Sequence, residues 1–419
     1  MLVHGEIWTI KEQFVYPNEF IYWSIQIVMY PFITGLLAGA FILASLYHFL
    51  GIKELKEVSK FSLILSFALF FVAPIPLLLH LQLPFRGINV FLTPHFTSAI
   101  SAFGLIYAAY GTVVAAEIWF IYRRYFVEMA RSLRDKTDKR FSEKIKYIIF
   151  SVLTLGAYDV SVDALRKDEK AVKILAAVGI PTAFLLHGYA GFIFGSVKAN
   201  ALWMSPLMPF IFIMSAVVSG IALCMLTYIA VMEINKFLIK RKRTASLPFR
   251  SEKEIRRVEI YELRVTVKYL LMFMVVAITL EFFDLIFRGY TGVKSWEVLK
   301  NVIYERDFFN IFILQYGIGG VLPMFILLLP GLTVKRSVVG LILVLLGIFM
   351  MRWNVVIGGQ MFSVTFDGYM HYKFPIIPHD YETFKEGLFG AILVGVMPFF
   401  LFWIFNKIAP VFDSQVKKT

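Results

Sequence analysis

The run VVGLILVLLGIFMMRWNVVIGGQ, from Val338 to Gln360, decides the fold. Every residue from Val338 to Met351 is apolar or glycine, and then a permanent cation and two amides follow at Arg352, Asn354 and Gln360. A guanidinium at membrane depth costs roughly 2.5–3.5 kcal/mol on insertion scales, so a chain that keeps one usually turns it toward protein, a ligand or water. Gly358 and Gly359 beside Gln360 let another backbone or a flat ligand come close. The run reads as the end of a membrane helix that carries a polar site.

The rest of the chain has the same character. Of 419 residues, 59% are hydrophobic, 17% aromatic and 17% charged, and mean hydropathy is +0.72. Repeated apolar stretches of about twenty residues predict an all-α polytopic membrane protein, a single integral membrane domain over 1–419. Acidic Glu6, Glu12 and Glu19 stand where a signal peptide has its basic region, so the first helix is expected to remain in the mature protein. The one cysteine, Cys224, lies in an apolar stretch and reads as a small buried hydrophobe. It leaves no intrachain disulfide, cysteine-ligated Fe–S cluster or C-x-x-C-H haem attachment.

Apolar spans fall at about 20–49, 61–82, 95–122, 172–197, 204–235, 266–290, 308–330, 337–360 and 387–408. Residues 145–158 form a marginal tenth, apolar for about a dozen residues, which is short for a crossing. Charge arbitrates. With nine crossings, the basic segments after the first, third, fifth and seventh spans and at the carboxyl end all fall on one side, which the positive-inside rule makes cytoplasmic. The amino terminus is then outside, and 145–158 lies in the interface or re-enters. The net charge of +13 thus points to the membrane surface rather than to nucleic acid. Trp23, Trp203 and Trp296 fall near outer ends, and Trp119 and Trp403 near inner ends, as an aromatic belt predicts. The loop from Phe362 to Glu386 is rich in aromatics and proline, suited to docking a partner or to plain ordered structure.

With this orientation the polar residues collect in the outer half. His80, His95, His187, Tyr189, Glu281, Asp284, Arg288, Gln315, Arg352, Asn354 and Gln360 share it, whereas the inner half holds Glu117 and Glu233. Each has a bland alternative. Asp284 and Arg288, spaced i,i+4, can neutralise each other. His80 and His95 can be interfacial, Glu117 and Glu233 can snorkel to headgroups, Tyr189 can be packing, and Arg352 and Glu281 can be an ion pair joining the eighth and sixth helices. Several helices contributing polar groups at one depth still favour a site. A quinone ring needs donors to its carbonyls, for which Arg352, His187, Tyr189 and Gln360 serve. It also needs proton carriers, for which Glu281 and Asp284 are the candidates.

One stretch goes further. His187-Gly-Tyr189-Ala-Gly191, continuing through Lys198, Asn200, Trp203 and Ser205-Pro206 to Pro209, and then Ser215 to Gly220, resembles the NrfD/PsrC family of polysulfide-reductase membrane subunits. Tyr30-Pro-Phe-Ile-Thr-Gly35-Leu-Leu-Ala-Gly39 is similar to that family's glycine-rich opening helix. The Arg352–Gln360 run looks like its longer branch, which includes the HybB-like hydrogenase subunits and the DsrP/HmeB-type subunits of sulfate-reducer complexes, with the DsrP type the nearer likeness.

The resemblance implies a haem-free subunit of a respiratory oxidoreductase in a prokaryotic cytoplasmic membrane, of the kind used in anaerobic sulfate reduction. Such a subunit exchanges electrons between menaquinone and a four-cluster Fe–S partner on the outer face, with coupled proton transfer and beside further membrane and cytochrome subunits. It implies a quinone site in a first bundle (20–235), a second bundle (266–360), and an outer loop with the last helix (361–419). The family's quinone-site tyrosine carries over to Tyr189, and outer polar groups of the first helix to Asn18, Glu19 and Tyr22. Glu117 and Glu233 are candidates for a proton path to the inner face. A b-haem cytochrome using His80 and His95, an ion or solute transporter, and a scaffold are the competing classes.

Overall fold

A computed structural model describes residues 20–95, 97–136, 140–241, 252–291, 296–361 and 370–412. Among these, nine helices are long and apolar enough to cross a membrane. They are α1 (Ile25–His48), α2 (Lys53–His80), α3 (Ala99–Arg134), α4 (Val162–Gly195), α5 (Met208–Lys240), α6 (Glu254–Tyr290), α7 (Phe309–Leu328), α8 (Val334–Gln360) and α9 (Leu388–Ile408). The chain is an all-α, multi-pass membrane protein. Local chemistry sets the helix ends: Ser24 caps α1 through the amide of Gln26, Ser161 caps α4 through Ala164, and Thr333 caps α8 through Arg336. Pro74 interrupts α2 between Val72 and Ile75, where proline removes a backbone donor.

Helices α1 and α5 are apolar all round and form the centre of the packing. Gly39 and Gly220 stand where they touch, and neither position has room for a Cβ. Around this pair, α2, α4 and α8 pack inward, α3 lies on α4, α6 on α5, and α7 on α8. The last helix packs on α2 through Phe402 against Phe61 and Phe405 against Phe67. Apolar side chains left outside, such as Leu185, Val275, Phe325 and Phe400, give the surface that lipid demands.

Contacts sort by end. Ser24, His80 and Glu386 meet at the outer end, and backbone Ile21 pairs with His371 there. His48 with Glu117 and Tyr122 with Pro410 meet at the inner end. At 1.5 Å per residue, helices α3 to α6 run about 50–55 Å, well beyond the roughly 30 Å apolar core. Their inner turns, which a hydropathy reading assigns to connectors, are clasped by Arg123–Asp168 (2.6 Å) and by Lys236–Glu259.

The doubtful tenth segment does not cross. It forms a helix over Phe141–Leu153, about 20 Å long, folded antiparallel along the inner half of α3. Trp119 donates to the Leu153 carbonyl (2.8 Å), and Phe150 packs on Tyr125. Ile145, Ile148, Ile149 and Val152 stay exposed, the flank an interfacial helix turns to lipid.

Candidate functional site

Arg352 is wholly buried, and its partners come from α4 and α5. Its Nη2 lies 2.9 Å from His187 Nε2 and donates to Ser215 Oγ at 2.6 Å, while the guanidinium rests 4.0 Å over the Phe212 ring. The alternative of an Arg352–Glu281 ion pair does not form: no carboxylate among the described residues comes within 4.0 Å of the guanidinium. A charge this deep is held in direct contact by an imidazole, a hydroxyl, an aromatic face and a sulfur, while Glu281 acts on it through space without touching it.

Two residues on, Asn354 points to the other side of α8, because 200° separates i and i+2 on a helix. It donates to Gln315 Oε1 (2.8 Å), and Gln315 donates to Glu281 Oε2 (2.8 Å). This relay forms one wall of a cavity of about 110 Å³ in the outer half, between α5, α6, α7 and α8. Met351, Tyr316 and Leu202 complete the wall, and a smaller cavity of about 30 Å³ continues inward from Glu281 toward Met274. Gln315 and Tyr316 sit in a π-helical stretch of α7, Phe309–Val321. Such wide turns are frequent at functional sites.

Asp284 lines the larger cavity but is engaged structurally. It binds Arg288 (2.8 Å) and the hydroxyl of Ser205, while Arg288 donates to the carbonyls of Ala201 and Leu202. The i,i+4 pair therefore braces the turn after α4 as well as neutralising itself. That turn carries Trp203, whose indole donates to the Val355 carbonyl (2.5 Å), stacks on Trp23 and lies against Gly359. The flat group for which the glycines leave room is the chain's own tryptophan. Trp203 has the depth of a belt residue but is packed inside the protein.

The remaining expected residues divide. Tyr189 points away from the cavity, toward Phe103 of α3 and Phe192, and its hydroxyl has no partner among the described residues. Gln360 folds back to the Val356 carbonyl (3.3 Å) and is not in the cavity wall. Tyr22 is 73% exposed beside the outer end of α1, and Asn18 and Glu19 lie outside the described residues, as does 362–369 of the outer loop. Glu117 does not snorkel: it is wholly buried, 2.7 Å from His48. Glu233 does reach the surface and pairs with Lys236 (2.8 Å). His80 contacts Ser24 and Glu386, whereas His95 is exposed and contacts Thr97, so the two do not face each other.

Three residues were not singled out from sequence. Ser215 reads as one more small residue of α5. Asp307, beside Arg306 at the outer end, is buried, and desolvation raises its carboxyl above the ordinary range while Arg306 opposes the rise. Glu262 falls outside the sixth apolar span, which begins at 266 by hydropathy, yet the helix begins earlier and Glu262 is 4% exposed. A buried-face period continued backward from Glu281 would have found it.

Nine membrane helices with buried polar nodes on α4, α6, α7 and α8 define a membrane-embedded subunit rather than a soluble catalyst. The chain belongs to the NrfD family: the family described as Polysulphide reductase, NrfD, matches residues 16–364. It is 30% identical over 404 residues to a selenate reductase subunit of Mesobacillus selenatarsenatis, covering 94% of this chain and 87% of that protein. It is 23% identical over 318 residues to a putative dimethyl sulfoxide reductase membrane subunit of Halobacterium salinarum, covering 76% and 64% respectively. Both relatives carry the names of reductase subunits.

Proposed function

We propose that this chain is the quinone-reactive membrane subunit of a multisubunit reductase, exchanging electrons between menaquinone and an Fe–S partner at the outer face, with proton transfer through Glu281. The observation that carries the reading is the relay Asn354–Gln315–Glu281 in a cavity wall, beside the buried charge of Arg352. Size argues against the cavity as the ring's own seat. At about 110 Å³ it is smaller than the roughly 150 Å³ that accommodates benzene, so it suits water and protons better than a two-ring quinone.

The ring is better served by the face of Tyr189, Phe103 and Phe192, which borders lipid and lies at the outer half of α4. Tyr189 can donate to a quinone carbonyl, and the aromatic neighbours provide walls. His187, on the opposite side of α4, reaches Arg352, so a polar bridge leads from the ring's helix to the helix that carries the relay. On the same reading Glu117 and Glu233 are carriers at the inner end. The relatives named as reductase subunits support a partner-dependent redox role, since this chain has a single cysteine and no cluster ligands of its own.

Tyr189→Phe in the assembled complex tests the reading. The ring contacts stay, one hydrogen bond of about 0.5–1.5 kcal/mol is lost, and quinol turnover should fall up to about tenfold with assembly unchanged. Unaltered turnover over a full range of quinol concentration would remove the quinone from this face.

A further inference from the structure

The inner ends of α5 and α6 enclose a second group of polar side chains that the outer site does not use. Glu259, Glu262 and Thr266 are spaced i, i+3 and i+7, so they share one buried face of α6. Opposite them on α5, Tyr228 is wholly buried, its ring edge-on to Phe61 of α2 at 5.5 Å. The Tyr228 hydroxyl, Thr266 Oγ1 and Glu262 Oε2 have no hydrogen-bond partner among the described residues. Two of these three are not acidic, so the group is more than a patch of carboxylates. Buried polar atoms without partners carry a cost of about 1–3 kcal/mol each, and several together mark a place that water or protons visit.

The charges around Glu262 are few. Glu57 is exposed on α2, one turn before Phe61, and Glu259 is tied to Lys236, which also holds Glu233. Arg256 lies near Glu259, and the turn Lys53–Leu55 packs on α6. Lys236 is thus committed to Glu259 and Glu233, and Glu262 faces Glu57 and the Tyr228 hydroxyl instead. The same face of α6 continues outward through Leu270, Met274 and Ala277 to Glu281. Met274 and Ala277 line the small inner cavity with Glu281, and its 30 Å³ or so holds one or two waters. Only the stretch from Thr266 to Met274, about 12 Å, lacks polar groups on this face.

We infer that Glu262, with Tyr228 and Thr266, is a proton-uptake port through which water on the inner, basic face supplies Glu281 when electrons from the Fe–S partner reduce the quinone to quinol. A proton from inner water converts the Glu262 carboxylate to the acid. The hydroxyls of Thr266 and Tyr228 each accept one proton as they donate another, passing it to water in the α5–α6 seam. The carboxylate is restored and reloads from the rim at Glu57. No electron moves in this step. The inference rests on the proposed function only for the demand for protons, and the port's geometry is separate from where the quinone binds.

Two measurements on the assembled complex test it. Infrared difference spectra across a pH jump should show a carboxylic C=O band that shifts in D2O and disappears in Glu262→Gln. The same band in wild type and variant overturns the port, whatever the quinone does. In vesicles with a trapped pH indicator, with the reduced Fe–S partner supplying electrons to quinone, Glu262→Gln should cut proton uptake from the inner face at least fivefold, and Glu262→Asp should restore part of it. Uptake that stays at the wild-type level also overturns the port. Wild type that does not reduce the quinone sinks the proposed function and leaves the infrared result to decide on Glu262. If Glu262→Gln does not assemble, Tyr228→Phe takes its place, with slower inner-face uptake expected and an unchanged rate counting against the port.

Discussion

Replacing Arg352 by methionine separates a structural bolt from a functional charge. The substitution removes hydrogen bonds to His187 and Ser215, about 1.5–3 kcal/mol each for a charged donor, and a desolvated cation–π contact to Phe212 of about 2 kcal/mol. Against this roughly 5–8 kcal/mol stands the release of a buried cation's desolvation penalty, itself several kcal/mol. Methionine refills most of the volume, and Ser215 keeps its bond to the Phe212 carbonyl (2.9 Å). The net cost should be at most about 3 kcal/mol. Arg352→Ala adds a cavity and loses about 2–5 kcal/mol more.

The functional loss is set by a different quantity. A unit charge stabilises an anion 4 Å away by roughly 4 kcal/mol at an effective dielectric of about 20, and less at longer range. A third of that is a factor of ten in rate. Arg352→Met should therefore assemble at near wild-type yield, measured by size exclusion of the complex, while quinol turnover in the same fractions drops tenfold or more. Parallel losses in yield and turnover would refute the argument and make Arg352 a joint between α8, α4 and α5.

Trp203→Ala removes an indole that stacks on Trp23, donates to Val355 and covers Gly359; it should cost about 3–5 kcal/mol, seen as a lower thermal midpoint, and a Phe replacement should recover part of it. Acid should loosen the cap of the short helix Tyr381–Glu386. The Thr383 amide donates to Asp380 (2.7 Å) and holds its carboxyl below the ordinary aspartate range, so the cap's stabilisation is present at neutral pH and disappears as pH falls through that lowered value. The protection of the Thr383 amide, its exchange relative to an unstructured amide at the same pH, should fall on acidification in wild type and be low at every pH in Asp380→Ala; wild-type protection that does not change with pH would exclude the cap.

Hydropathy made the nine crossings legible because each span is long, apolar and bounded by charge. It failed at the inner ends of α3 to α6, where charged residues end an apolar window but not a helix. That failure hid Glu262. Depth along the helices was also legible: Arg352, Glu281, His187 and Asn354 do lie at one level of the bundle. Their partners were not, because periodicity assigns a face to one helix and says nothing of which face of another helix meets it. Arg352 accordingly went to His187 and Ser215 rather than Glu281, and Glu117 to His48 rather than to headgroups. Tyr189 and His187, two residues apart, sit on opposite sides of α4, which a motif written as a line cannot convey.

The contact of Gly39 with Gly220 also constrains how the protein is made. Helix α1 leaves the ribosome before the other eight described here, but the surface it fits is synthesised about 180 residues later, roughly 10–40 s at ordinary elongation rates. Gln26 waits longer still, since its amide donates to the carbonyl of Lys385 (2.6 Å), close to the end of the chain. During that interval α1 must reside in lipid or against the insertion machinery with its polar groups unmatched, and the bundle can close only when nearly all of its helices are in place.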